Sequence, residues 1–447
     1  MSLGALEARA TPTADASAAV RRSVLAVASA VVLVVIANRW GFRLLDEGVR
    51  LRILAPPLVG RFQVGPDRGG DAFVAIPFVT AAFLVSVAPR LAATLPWRRL
   101  LFAAGAGAAL WAVGLALASG WYWLQRPMEL PGQYLQDVGA VGDPFAFLRS
   151  FTDDIGEYAT HVRAHPPGFL LVLWGFDRLG FGGSGWSAAL VIAGGAAAVP
   201  AVLVTVRELA GEAVARRAAP FVVISPIALY VATTPDAFFA GVGAWAVMCI
   251  VLATGRTGST ATRLAVAGGA LFGATLMLSY GLVLLAAIPL AVAWARAVWR
   301  PMFVAAASSA GVLVVFALSG FWWVEGLFAT RLEYVDSVAS VRPYWYFLFA
   351  NIAALAILIG PAAVAGLAQR EARPLGVLLG GAITAIVLAD LSGMSKGEVE
   401  RIWLPFAVWL LPAAAALGAH NARHVSRWLG AQAGVAIGVQ LLVRTHW

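Results

Sequence analysis

The stretch Leu100–Ala118 reads LLFAAGAGAALWAVGLALA and contains no charged residue. It is as long as a helix that crosses the hydrocarbon core of a bilayer. A charge inside such a run costs roughly 2.5 to 3.5 kcal/mol on insertion scales, so its absence is informative. Val24–Ile36 is likewise uncharged. These runs are long and continuous and do not alternate every second residue, which argues for helices and against a barrel. Across the whole chain, 61% of the 447 residues are hydrophobic, only 12% are charged, and the mean hydropathy is +0.82. A soluble protein of this size needs far more charge on its exterior. The sequence therefore predicts an all-α fold, a polytopic transmembrane helix bundle.

Spans are expected near 23–38, 71–88, 99–119, 187–206, 217–233, 236–254, 263–279, 281–297, 302–319, 344–368, 374–391, 401–419 and 427–443. With the amino terminus in the cytoplasm, alternate connections hold Arg90 with Arg98 and Arg99, Arg207 with Arg216 and Arg217, and Arg256 with Arg263. The next ones hold Arg296 with Arg300, Arg370 with Arg373, and Arg423 with Arg427. Short basic connections on one side are what the positive-inside rule requires. Residues 1–22 read as a disordered cytoplasmic tail before an uncleaved first helix. The apolar segment Pro166–Gly180 is too short to span and is expected to lie at the outer surface as an interfacial or re-entrant helix.

The net charge of +9 does not point to nucleic acid, because the basic residues sit in small groups between apolar runs and form no continuous face. Cys249 is the only cysteine and lies inside an apolar run, which excludes a disulfide framework and a thiolate metal cluster. The outer connections are another matter. Arg39–Gly70, Gly120–His165 and Gly320–Pro343 are longer than topology needs, and a short one holds Ser395–Arg401. Long loops in a compact membrane protein are commonly functional.

The second outer loop carries Asp137, Asp143, Asp153, Asp154, Glu157, His161 and His165, all on one side of the membrane. Carboxylates and imidazoles are the groups that proton transfer or metal binding uses. A purely structural account also covers them, with Asp153 and Asp154 capping a short helix. Asp46-Glu47, after the first span, reads as a surface segment with local ion pairs to Arg50 and Arg43. Lys396 and Arg401 stand at the outer end of the span 401–419, with Glu398 and Glu400 able to hold or tune them; Arg331 and Arg342 are further cations in the third loop. An ordinary charged loop with a snorkelling Arg401 is the competing account.

His165-Pro166-Pro167-Gly168, then Gly185-Trp186-Ser187-Ala188-Ala189-Leu190, Arg207-Glu208-Leu209, Ser225-Pro226 and Thr234-Pro235-Asp236 occur in that order. This series resembles the protein O-mannosyltransferase group, with the related lipid A aminoarabinose and Rgt-type transferases of the GT-C superfamily. The resemblance covers roughly residues 98–255. It implies a GT-C-like bundle with outer-face juxtamembrane helices, divided as a tail (1–22), extra amino-terminal helices and outer loop (23–97), a catalytic module (98–255, with loop 120–165) and carboxyl-terminal helices (256–447).

The function so implied is an inverting glycosyltransferase. It would move a sugar from a polyprenyl-phosphate-linked donor to a glycan, lipid or protein acceptor of the cell envelope, on the outer face of the plasma membrane. The family's catalytic base is an acidic residue in the loop before His-Pro-Pro, often within Asp-Glu. That pair is missing here, and by spacing Asp137, then Asp143, is the nearest match. His165 fixes the loop or contacts phosphate. Lys396 and Arg401 are the candidate partners of the donor phosphate, since cations must stabilise charge growing on the leaving oxygen. No resident metal is implied; a divalent cation is the one cofactor left open. The alternative is a secondary transporter or lipid flippase, which would place ionisable residues at mid-span and often show an internal repeat. A non-catalytic scaffold is a third reading.

Overall fold

Uncharged runs become long helices because a helix satisfies its own backbone wherever no water can. The computed structural model describes residues 14–63, 71–232, 234–336, 340–419 and 422–445. The chain opens with α1 (Ala14–Asp46), α2 (Asp71–Thr94) and α3 (Trp97–Ala116). A stretch of short turns follows, with α4 (Pro144–Ser150), α5 (Thr160–Arg163) and α6 (Gly168–Arg178). Then come α7 (Ser184–Ala210), α8 (Glu212–Val223), α9 (Pro235–Thr254), α10 (Gly258–Leu276), α11 (Ala287–Arg296) and α12 (Arg300–Leu318). The last part holds α13 (Trp323–Asp336), α14 (Tyr344–Leu367), α15 (Gly376–Leu391), the short α16 (Val399–Ile402) and α17 (Leu404–Ala407), and α18 (Ala422–Leu442).

Among the described residues, eight helices are long and apolar enough to cross a membrane, and Tyr280–Arg296 and Leu404–Leu417 are shorter apolar ones. The fold is the expected polytopic all-α bundle, and α6 occupies the segment set aside as too short to span. Several expectations change. The expected span 281–297 opens as a 3-10 segment before α11, and 401–419 is divided among α16, α17 and a 3-10 segment. Helix α1 already begins at Ala14, so residues 14–22 continue the first helix instead of forming a tail, while residues 1–13 lie outside the described residues. The expected span 217–233 is broken after α8, where Ser225 is extended ahead of Pro226. A residue before proline is pushed out of the helical region, which accounts for the break.

Helix α9 is the axis of the bundle, with 78% of its apolar window buried. Its approach to α7 is made by small residues: a Cβ on Gly241 would lie 2.1 Å from the Gly194 carbonyl oxygen. Close backbone contact through glycine is how helices associate where there is no hydrophobic drive between them. At one end of the bundle, Glu208 takes Arg256 at 3.0 Å and Arg296 at 3.3 Å, and Arg216 reaches the carbonyls of Ala92 and Leu95. That end gathers the basic connections. The long loops gather at the other, where Arg163 pairs with Glu333 of α13 at 3.2 Å and Tyr334 donates to the Gly393 carbonyl. There a two-residue strand β1 (Arg61–Phe62) also pairs antiparallel with β2 (Val443–Arg444).

Candidate functional site

Pro235 at the first position of α9 starts the helix, and Asp236 falls in its first turn, where a carboxylate suits the helix dipole. Asp236 is buried and its Oδ2 accepts from Arg401 Nη1 at 2.9 Å. Arg401 Nη2 donates to Glu398 Oε2 at 2.5 Å, and Arg342 Nη1 stands 3.4 Å from Glu398 Oε1. Arg342 also donates to the carbonyls of Leu51 and Lys396, at 3.1 and 2.6 Å. The result is a chain of charges, Asp236, Arg401, Glu398, Arg342, in which both arginine side chains are only 7% exposed. Burial works against the charge on Glu398, but Arg401 and Arg342 outweigh it and hold the carboxyl down at about 2. Burial likewise opposes the charge on Arg401, and Asp236 and Glu398 more than restore it.

Three side chains from the second loop complete this end of the bundle. The Tyr134 ring lies 6.0 Å from His165, 6.3 Å from His161 and 4.9 Å from Phe169, centroid to centroid. His165 Nδ1 is 2.8 Å from the His161 carbonyl oxygen. A carbonyl only accepts, so Nδ1 carries the hydrogen and Nε2 of the neutral ring keeps its lone pair. Both rings favour the neutral form. Burial lowers His161 to about 3, with Arg401 adding to the effect, and burial lowers His165 as well.

The segment 395–401 owes its shape to a buried amide. Asn351 of α14 donates from Nδ2 to Asp390 Oδ1 at 2.8 Å and to the Ser395 carbonyl at 2.6 Å, and its Oδ1 accepts from the Gly397 N–H at 3.2 Å. Gly397 and Glu398 both have positive φ, at 83° and 63°. For glutamate this conformation is disfavoured, and it persists because the arginines and the Asn351 clamp fix the segment on both sides. Lys396 donates from Nζ to the Ser340 carbonyl at 2.8 Å and sits over the Tyr334 ring, where burial and Arg342 lower its proton affinity. Glu400 is fully buried. Its Oε1 accepts from the Val59 N–H at 2.8 Å, its Oε2 has no partner among the described residues, and burial pushes the carboxyl up to about 7.

The candidate residues thus fall into two groups. Arg401 and His165 meet in the cluster around Asp236, with Lys396 at its rim. Asp137 lies outside the chain of charges: one oxygen accepts from the Ala159 N–H at 2.7 Å, and its electrostatic influence falls on Tyr158. Asp143 is exposed and caps α4 by accepting from the Ala146 N–H at 2.7 Å. That cap was expected of Asp153 and Asp154; Asp154 precedes a 3-10 turn without a side-chain cap bond. Of the expected tuning pair, Glu398 holds the arginines whereas Glu400 holds backbone. Arg342, taken as a lesser candidate, is a full member, while Arg331 is exposed. Ion pairs of Asp46 and Glu47 with Arg50 and Arg43 do not form among the described residues. No group of three or more His, Cys, Asp or Glu side chains among the described residues is arranged to hold a metal ion.

Gly168 explains part of the His-Pro-Pro-Gly sequence. Its N–H donates to the Met277 carbonyl at 3.0 Å, and a Cβ there would lie 2.3 Å from that oxygen. Only glycine lets α6 seat against the end of α10 and carry His165 into place. A small, partly open cleft of about 30 Å³ lies between Ala108 of α3, Ala196 and Val199 of α7, Val231, Val408 and Leu411.

No family model matches the chain, and no curated protein matches it. Among solved structures it is similar to the Archaeoglobus fulgidus oligosaccharyltransferase in a complex with zinc and sulfate, with a TM-score of 0.49 and 16% identity. The match covers 77% of this chain and 53% of that one, so the chain spans about half the length of that protein.

Proposed function

We propose that the protein is a multi-pass membrane glycosyltransferase of GT-C type. In this reading it transfers a sugar from a polyprenyl-phosphate donor to an acceptor hydroxyl of the cell envelope, on the extracytoplasmic face. The observation that carries the reading is the half-buried cluster at the loop-bearing end of the bundle. There Arg342 and Arg401 pair with the carboxylates Asp236 and Glu398, and Glu400 is pushed up to about 7. Lys396 stands at the rim and forms no ion pair among the described residues, and a cation beyond the arginine–carboxylate pairs suits a phosphate ester. The order of motifs from His165 to Asp236 supports the same class. Asp390, at the end of α15 and held by Asn351, sits near a helix terminus and away from mid-span, which disfavours transport.

Asp137 serves as base in this reading. One of its oxygens is occupied by Ala159 and the other has no partner among the described residues, whereas the carboxylate of Asp143 is engaged as a helix cap. The acceptor O–H proton passes to Asp137 as the new oxygen–carbon bond forms at the anomeric centre. The bond from that carbon to the phosphate oxygen breaks, and the electron pair stays on the phosphate. Arg401, with Arg342 and Lys396 near it, stabilises that charge, and the lone pair on His165 Nε2 can accept a hydrogen bond from a substrate hydroxyl. The test is incubation of the purified protein in nanodiscs with labelled polyprenyl-phosphate sugars. Transfer or hydrolysis is expected, and Asp137→Asn should abolish it without loss of folding. Full activity in that variant eliminates Asp137 as base, and no turnover of any such donor by the native protein eliminates the reading.

A further inference from the structure

Tyr134 is 1% exposed, and its phenolic oxygen is fully buried with no hydrogen-bond partner among the described residues. Buried hydroxyls nearly always find a partner, because leaving one unpaired forfeits its hydration without return. This one is not stranded in an apolar core. The charges of Asp236 and Arg401 both act on it, and the rings of His161 and His165 lie beside the Tyr134 ring, at 6.3 and 6.0 Å between centroids. It therefore faces the chain of charges without donating to any member. Arg401 already spends Nη1 on Asp236 and Nη2 on Glu398, so the ion pairs are complete without the phenol.

We propose that Tyr134 is a ligand-contacting residue whose O–H donates to an anionic oxygen of a phosphate ester entering beside Arg401. This rests on the reading of the cluster as the donor-phosphate site. Burial, and then Asp236, push the ionisation of the phenol far up, so it remains a donor at every pH at which the protein works. A neutral donor also adds a hydrogen bond without adding charge to a cluster that already holds an excess cation. The native chain then tolerates an unpaired buried hydroxyl when empty and recovers its hydrogen bond when the ligand binds. The hydroxyls of Tyr230 and Tyr280 are also buried without a partner among the described residues; Tyr134 differs in lying beside both histidines of the second loop and within the influence of Asp236 and Arg401.

The experiment compares the native protein with Tyr134→Phe in nanodiscs of zwitterionic lipid. Polyprenyl monophosphate and, in a separate arm, inorganic phosphate are titrated against intrinsic tryptophan fluorescence, and the ligand-free melting midpoint is recorded for each protein. The native protein should bind polyprenyl phosphate, and the variant should bind it about 10- to 100-fold more weakly, as for loss of one hydrogen bond to a charged group. Its melting midpoint should equal or exceed the native value, because the substitution removes an unpaired polar atom and nothing else. Equal affinity in the two proteins overturns the proposal, and so does a lower melting midpoint in the variant, which would mean that the hydroxyl has a structural partner. Inorganic phosphate binding as well as the lipid, with the same loss in the variant, supports the contact while overturning the lipid donor. A native protein that binds neither probe overturns the donor reading and this contact with it.

Discussion

Removing Asp236 tests whether the buried charges act as one unit. Asp236→Ala leaves Arg401, whose side chain is 7% exposed, with Glu398 as its remaining carboxylate. Breaking a buried ion pair from one side typically costs about 3 to 5 kcal/mol, because the other charge stays desolvated. Glu398 still accepts from Arg401 Nη2 at 2.5 Å, which places the expected loss near the lower end, at ~3 kcal/mol. Arg401→Ala alone should cost a similar amount, since Asp236 and Glu398 are then buried together without their shared cation. The double variant removes the pair and its desolvation at once, so its loss should fall short of the sum by roughly 1 to 3 kcal/mol. The assay is denaturant unfolding of the four purified proteins in one detergent, followed by tryptophan fluorescence. Additivity of the two single losses within about 0.5 kcal/mol would refute the coupling and with it the description of Asp236 and Arg401 as a pair.

The two glutamates beside Arg401 should respond to pH in opposite windows. The carboxyl of Glu398 is held at about 2 against an ordinary 4.5, so its stabilising effect is present above pH 4.5 and is lost as pH falls toward 2. Glu400 is raised from 4.5 to about 7, so the folded state is favoured below pH 4.5 and loses that advantage as pH rises through 7, by at most ~3 kcal/mol at 1.36 kcal/mol per unit. Glu400→Gln should therefore stabilise the protein more at pH 8 than at pH 4.5, and Glu398→Gln should flatten the acid limb; unfolding midpoints measured across pH check both, and identical pH profiles in variants and native protein would contradict them. Gly168→Ala should destabilise by about 1 to 3 kcal/mol as the new methyl meets the Met277 carbonyl, read as a lowered melting midpoint, with an unchanged midpoint as the contrary result.

The bundle was legible in the sequence because its determinants are local. An uncharged run of bilayer length, a basic turn and an apolar segment too short to cross each carry their own signal, and α6 and the long helices follow from them. The break after α8 was legible in principle at Ser225-Pro226 but was hidden by the apolar run on both sides. The site was only half legible. Arg401 and His165 stand out as polar residues beside apolar runs. Asp236 carried a weaker signal, an acid in the first turn of an otherwise uncharged helix, and its partner lies 165 positions away. Asn351 had no charge to betray it, and Tyr134 looked like one more aromatic at a membrane interface. What distinguishes those two is the presence or absence of hydrogen-bond partners, which only the fold supplies.

The amino-terminal helices show the same limit from another side. Residues 23–97 read as an added extension because the family resemblance begins only near residue 98. In the fold they are tied to the loops beyond through main-chain groups, which have no sequence signature. Glu400 accepts from the Val59 N–H, Arg342 donates to the Leu51 carbonyl, and Tyr346 donates to the Ala37 carbonyl. Leu51, Ile53 and Val59 are buried in a small core with Tyr346 and Phe347 of α14. Without this segment Arg342 would lose one of the contacts that aim it at Glu398. Glu400 would lose the hydrogen bond that its fully buried carboxyl accepts from the Val59 N–H. Two of the charged side chains that border Arg401 are thus set by backbone from the first loop. The extension and the loop-bearing end of the bundle are therefore one structural unit, and the loop from Val49 to Val59 belongs to the candidate site as much as the loop that carries His165.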